Sequence, residues 1–200
     1  IVELGERVIE LACRAKMLLE KELGYPVKLG INCSAHELHD SQRYLSYLTK
    51  MIKHFHFDKR DFVIELTETV LLSPTEETKN VLSVMRQQGF TIALDDFGTG
   101  YSSLNYIHSY PIDCIKIDAT FIKGLLTSDT AESVVWLIVQ LANRLGVSLV
   151  AEGVEHKEQL EKLYAMGCDQ IQGFFFSCPL PAHDMIAKIH ALPTTDCATN

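Results

Sequence analysis

The sequence predicts an α/β protein built on a parallel sheet of six strands, and three observations carry that reading. Short apolar runs recur six times, segments of helical period separate them, and polar residues collect where the runs end. With 200 residues and 47% apolar side chains, the chain is expected to form one domain. A chain of that size buries roughly two thirds of its unfolded surface and needs neither disulfide nor metal to fold.

Apolar residues from Val2 to Ala15, continued by Leu18 and Leu19, keep helical spacing until Gly24-Tyr25-Pro26 stops them. Val27–Asn32 then reads as a strand, Ser34 as a helix cap, and one helical stretch follows through Ile52. Phe62–Thr67 is the second strand, Thr78–Gln88 a helix ended by Gly89, and Phe90–Asp95 the third strand. A glycine-rich stretch from Asp96 to Gly100 and a short helix near Leu104 lead to the fourth strand, Cys114–Asp118. Ser133–Leu145 is a helix closed by Gly146, and Val147–Glu152 is the fifth strand. Helix Lys157–Met166 ends at Gly167, and Gln170–Phe176 is the sixth strand. Its three phenylalanines read as strand core rather than a stacking platform, with one ring able to face a base.

Composition excludes several functions. The formal net charge is −8, from 18 basic and 26 acidic side chains, and no Arg/Lys-rich run exists. No nucleic-acid polymer is therefore expected as a partner, whereas a small phosphorylated ligand can still be held through metal ions. The six cysteines, Cys13, Cys33, Cys114, Cys168, Cys178 and Cys197, are scattered without a C-x-x-C pair, which predicts reduced thiols and a cytoplasmic setting. The longest apolar stretch, Val134 to Ala142, is too short to span a bilayer. The chain opens inside a helical pattern without Met, as expected of a piece of a longer protein.

Asn32, Glu65, Asp95, Asp96, Lys116, Asp118, Glu152 and Gln172 all fall at or just past the end of an expected strand. A single such residue is ordinarily a polar group satisfied by a turn, but six strand ends in succession are the pattern of a ligand site. Both a closed barrel and an open doubly wound sheet place ligands at the C-terminal strand ends, so this pattern fits either. Carboxylates joined by an asparagine oxygen favour hard ions such as Mg²⁺ or Mn²⁺. The adjacent Asp95-Asp96 can hold two neighbouring metals, an arrangement suited to phosphodiester cleavage. Lys116 and Asp118, two apart on one strand, are expected to share a face and pair. Glu152 is placed to accept a proton from water, while Glu68 and Glu155 read as loop or helix-capping residues.

With these motifs in place, the chain resembles the EAL family of cyclic-di-GMP phosphodiesterases. The resemblance lies in Asn32-Cys33-Ser34, Glu65-Leu66-Thr67-Glu68, Asp95-Asp96-Phe97-Gly98-Thr99-Gly100-Tyr101-Ser102-Ser103-Leu104, Lys116-Ile117-Asp118, Ala151-Glu152-Gly153-Val154-Glu155 and Gln172-Gly173-Phe174-Phe175-Phe176-Ser177. It implies a modified TIM (β/α)8 barrel over residues 1–192, here lacking the family's first two strands, with a polar tail at 193–200. It also implies hydrolysis of cyclic-di-GMP to linear pGpG with two Mg²⁺ or Mn²⁺ ions. Asn32, Glu65, Asp95 and Asp96 would then ligate metal, and Lys116 and Glu152 would position and deprotonate the water. Asp118 and Gln172 would lie at the substrate, and Glu68 would hold the rim loop. A homodimer and an upstream sensor or GGDEF-type domain are further implications. Ala119 and Cys178 depart from the basic residues usual in the family. A catalytically inactive cyclic-di-GMP receptor or interaction module is the alternative reading.

Overall fold

The computed structural model describes residues 2–71, 75–99 and 109–191. All six expected strands form: β1 Leu29–Asn32, β2 Phe62–Thr67, β3 Thr91–Phe97, β4 Cys114–Ile117, β5 Ser148–Ala151 and β6 Gln170–Ile171. Every pairing is parallel, and the order in the sheet is the order in the sequence. A doubly wound sheet reverses its strand order at a switch point, and here there is no reversal. Among the described residues the six strands curl as a partial TIM-like barrel.

The helices follow their caps. α1 spans Val2–Leu23; Ser34 then caps α2, Ala35–His39, with Glu37 closing a capping box. The single helix expected through Ile52 is broken at Asp40, whose backbone (φ −97°, ψ 47°) leaves the helical region before α3, Ser41–His54. α4 is Glu76–Gln87, α5 Ala119–Gly124, α6 Asp129–Leu145, α7 Lys157–Met166 and α8 Ala182–Ala191. α6 and α7 each end on a left-handed glycine, Gly146 and Gly167. The helix expected near Leu104 and the 193–200 tail lie outside the described residues.

The core sits between sheet and helices, with Ile31, Ile64, Leu66, Ile92, Leu94, Ile115 and Ile117 buried on the strands. One charge lies within it. α1 turns Ile9, Cys13, Lys16 and Leu19 inward, and the fully buried Lys16 ammonium bonds to Glu20 and the Val27 carbonyl. Asp61 Oδ2 lies 3.4 Å away, and the Phe57 and Phe62 rings cover the ammonium at 5.0 and 5.6 Å. All described cysteines are free thiols, four of them buried and Cys178 exposed. Among the described residues no helix is long and apolar enough to cross a membrane.

The sixth strand is shorter than expected. Pairing stops at Ile171, and Phe174, Phe175 and Phe176 form an exposed turn rather than core. The cause is Gly173, which lies so close to Val154 that the chain folds over it. The Phe175 N–H donates to the Val154 carbonyl and the Phe176 N–H to that of Gly173.

Candidate functional site at the strand ends

Two consecutive strand residues normally point to opposite faces, yet Asp95 and Asp96 reach the same cluster. The reason is a bulge. Leu94 pairs with Ile115 and Phe97 with Ile117, so β3 carries one more residue than β4 between those points. Asp96 takes up the surplus with a left-handed backbone, φ 54°. Among the described residues, Asp95, Asp96 and Glu152 offer carboxylate oxygens all within 4.8 Å of one another.

Lys116 is the centre of charge. It alternates with Ile115 and Ile117 on β4 and projects from the face opposite to theirs. Its Nζ lies 3.1 Å from Glu65 Oε2, 2.9 Å from Asp95 Oδ1 and 2.8 Å from Glu152 Oε1. Burial opposes its charge, but the bonds to Glu152 and Asp95 and the nearby Glu65 outweigh that and hold the ammonium well above its ordinary value. The expected pairing with Asp118 does not form. β4 ends at Ile117, so Asp118 leaves the sheet as the N-cap of α5 and accepts from the Thr120 N–H and hydroxyl.

The carboxylates differ in character. Burial holds Glu152 above its ordinary value against the pull of Lys116. Burial, together with the charges of Asp95 and Asp118, raises Asp96 as well. Asp118 is the opposite case, because its bonds to Thr120 overcome burial and keep it low.

The remaining expected residues take separate places. Asn32 is exposed at the end of β1, in register with Glu65. Glu68 is buried, and its Oε2 accepts from the Gly98 N–H at 3.0 Å, tying the start of the third rim loop to the segment after β2. Gln172 is exposed and laced to the Glu152 loop by its backbone: its N–H donates to Ala151, and its carbonyl accepts from Val154. Glu155 is exposed and engages through its backbone N–H, which donates to Gln159 Oε1. The histidines His36, His39, His54 and His56 are exposed on helices and turns.

Four supporting residues escaped the sequence reading. A Cβ on Gly173 would lie 2.1 Å from the Val154 carbonyl oxygen, and one on Gly153 would lie 2.5 Å from the Ala119 Cβ. These two glycines let the loops after β4, β5 and β6 stack on one another. A glycine in the motifs Glu152-Gly153 and Gln172-Gly173 was a signal of close backbone approach. Buried Gln159 joins the same assembly, accepting from Glu155 and His156 and donating to the Ile122 carbonyl. Its position at the third residue of a helix was a capping signal. The fourth, Gly30, breaks the apolar run of β1, a recognised mark of close approach within a strand.

Fold and site together define a TIM-barrel-like α/β domain with a carboxylate cluster at the C-terminal ends of its strands. The EAL domain family model matches residues 1–179, and the chain belongs to that family. Among curated relatives, the cyclic di-GMP phosphodiesterase RocR of Pseudomonas aeruginosa is 36% identical over 86% of this chain and 43% of its own length. Solved structures resemble the fold as well. The PaMucR phosphodiesterase in its c-di-GMP complex has a TM-score of 0.85 and 32% identity, covering 92% of this chain and 74% of that one. Klebsiella pneumoniae BlrP1 in its manganese/cy-diGMP complex has a TM-score of 0.76 and 30% identity, covering 89% and 44%. The chain spans less than half the length of the curated relatives it matches.

Proposed function

We propose that this domain is a cytoplasmic, metal-dependent phosphodiesterase that opens cyclic-di-GMP to linear pGpG. The observation that carries the reading is the meeting of Glu65, Asp95 and Glu152 on Lys116, with Asp96 brought alongside by the bulge. Family membership and the names of RocR and PaMucR support the substrate.

The donor set fits hard divalent cations, since every side chain in it offers oxygen. Asp95 and Asp96 would hold Mg²⁺ or Mn²⁺, with Glu65 and Asn32 completing the set. Bound there, such ions would supply Lewis acidity toward the phosphoryl group and lower the pKa of a nearby water. Glu152, its proton affinity raised by burial, is the group that would take a proton from the attacking water. Lys116 offsets the mutual repulsion of the three carboxylates, holding them together, and offers positive charge where the phosphoryl group becomes more negative. Glu68 fixes the loop behind Asp96, and Asp118 and Gln172 face the ligand. A homodimer and an upstream sensor or GGDEF-type domain belong to the same proposal.

The test is turnover of cyclic-di-GMP with Mg²⁺ and then Mn²⁺, by this chain and by a version extended upstream. Appearance of the linear dinucleotide supports the enzyme. Binding without turnover in both versions overturns it in favour of a receptor.

A further inference from the structure

We propose that Gly30 is a positioning residue for Glu65, its missing side chain being the space through which that carboxylate reaches Lys116. The inference rests on the reading of Glu65 as part of the cation-holding set, although its geometry stands without it. A Cβ at Gly30 would lie 2.4 Å from Glu65 Oε1 and 3.0 Å from its Cδ. The other oxygen, Oε2, is 3.1 Å from Lys116 Nζ. The Glu65 carboxylate is thus set between the bare backbone of β1 and the ammonium of β4.

Backbone conformation gives no reason for glycine at this position. The glycines with positive φ are Gly24, Gly89, Gly98, Gly146, Gly153 and Gly167, and Gly30 is not among them. Alanine can therefore adopt this conformation, and it would lose less chain entropy on folding. At Gly173 the obstructing atoms belong to the Val154 backbone, whereas at Gly30 they are the far end of a flexible side chain. The least costly response to a methyl group at position 30 is to move the Glu65 carboxylate. The fold accommodates the change and the site absorbs it.

The experiment compares the unchanged 200-residue chain with Gly30→Ala, Glu65→Asp and the double variant. Glu65→Asp withdraws the carboxylate by one methylene and clears the space. Melting temperature is read in EDTA, and Mn²⁺ affinity by calorimetry. With Glu65 in place, Gly30→Ala is expected to lower the melting temperature and to weaken Mn²⁺ binding about tenfold, the lower end of outer-sphere positioning effects. In the Glu65→Asp background the same change is expected to raise the melting temperature and to leave Mn²⁺ affinity unchanged. An equal loss in both backgrounds overturns the proposal, because a purely structural role for Gly30 is indifferent to the length of residue 65. If the unchanged chain binds no Mn²⁺, the metal-dependent reading fails, and the melting temperatures still decide the role of Gly30.

Discussion

Glu152 combines two properties that a proton acceptor needs. It is held 2.8 Å from Lys116, and burial makes its ionised form costly. Glu152→Gln keeps the shape and removes the proton acceptor. Hydrolysis of cyclic-di-GMP is expected to fall by about 10²–10⁴-fold, with ligand affinity nearly intact. Comparable losses of turnover and affinity in kinetic and binding assays would assign the residue a structural role instead. The same side chain predicts a pH effect on stability without divalent cations. Glu152 and Asp96 both titrate above their ordinary values in the folded chain. Between those ordinary values and the raised ones, the folded state keeps protons that the unfolded state releases. Stability therefore falls as pH rises through that window. Urea midpoints measured in chelator across the window are expected to follow this slope, and Glu152→Gln to flatten it. At this scale the sequence disclosed the acidic residues, since their spacing puts them at strand ends. It did not disclose the partners of Lys116, because pairing with Asp118 presumed that the strand continued one residue further.

At the scale of elements, the site depends on places where regular structure is interrupted. The extra residue in β3 brings Asp95 and Asp96 together, and Gly173 ends β6 early by admitting the Val154 backbone. Gly173→Ala would force those two loops apart, because the atoms in the way are main-chain ones. It is expected to destabilise the fold by about 2 kcal/mol, within the usual range for overpacking, read as a shift of the urea midpoint. No shift would show that the loops separate freely. The helix bounds were legible where a cap or a terminal glycine marks them, as at Ser34, Gly146 and Gly167. The bulge was not, since nothing in Asp95-Asp96 says that the neighbouring strand is one residue shorter. The three phenylalanines misled for a related reason. Their β propensity is real, but the backbone contact at Gly173 overrides it.

At the scale of the whole molecule, the open question of the sequence was barrel or doubly wound sheet, and strand order answers it. Order is a tertiary property that six similar βα units cannot reveal singly. It also explains why the site draws on β2, β3, β4 and β5: in a curled sheet the strand ends converge. Cations bound at that convergence stabilise the folded state by mass action. Adding Mn²⁺ in excess of its dissociation constant is expected to raise the melting temperature, and EDTA to reverse the rise. A melting temperature indifferent to both would remove the cation from the proposal.

The strand order has a consequence for how the chain acquires its shape. Among the described residues, each strand pairs with its neighbours in the sequence. Each new βα unit closes a loop only one unit long, which keeps the entropy of closure low. The carboxylates converge only when β2 through β5 are all in place.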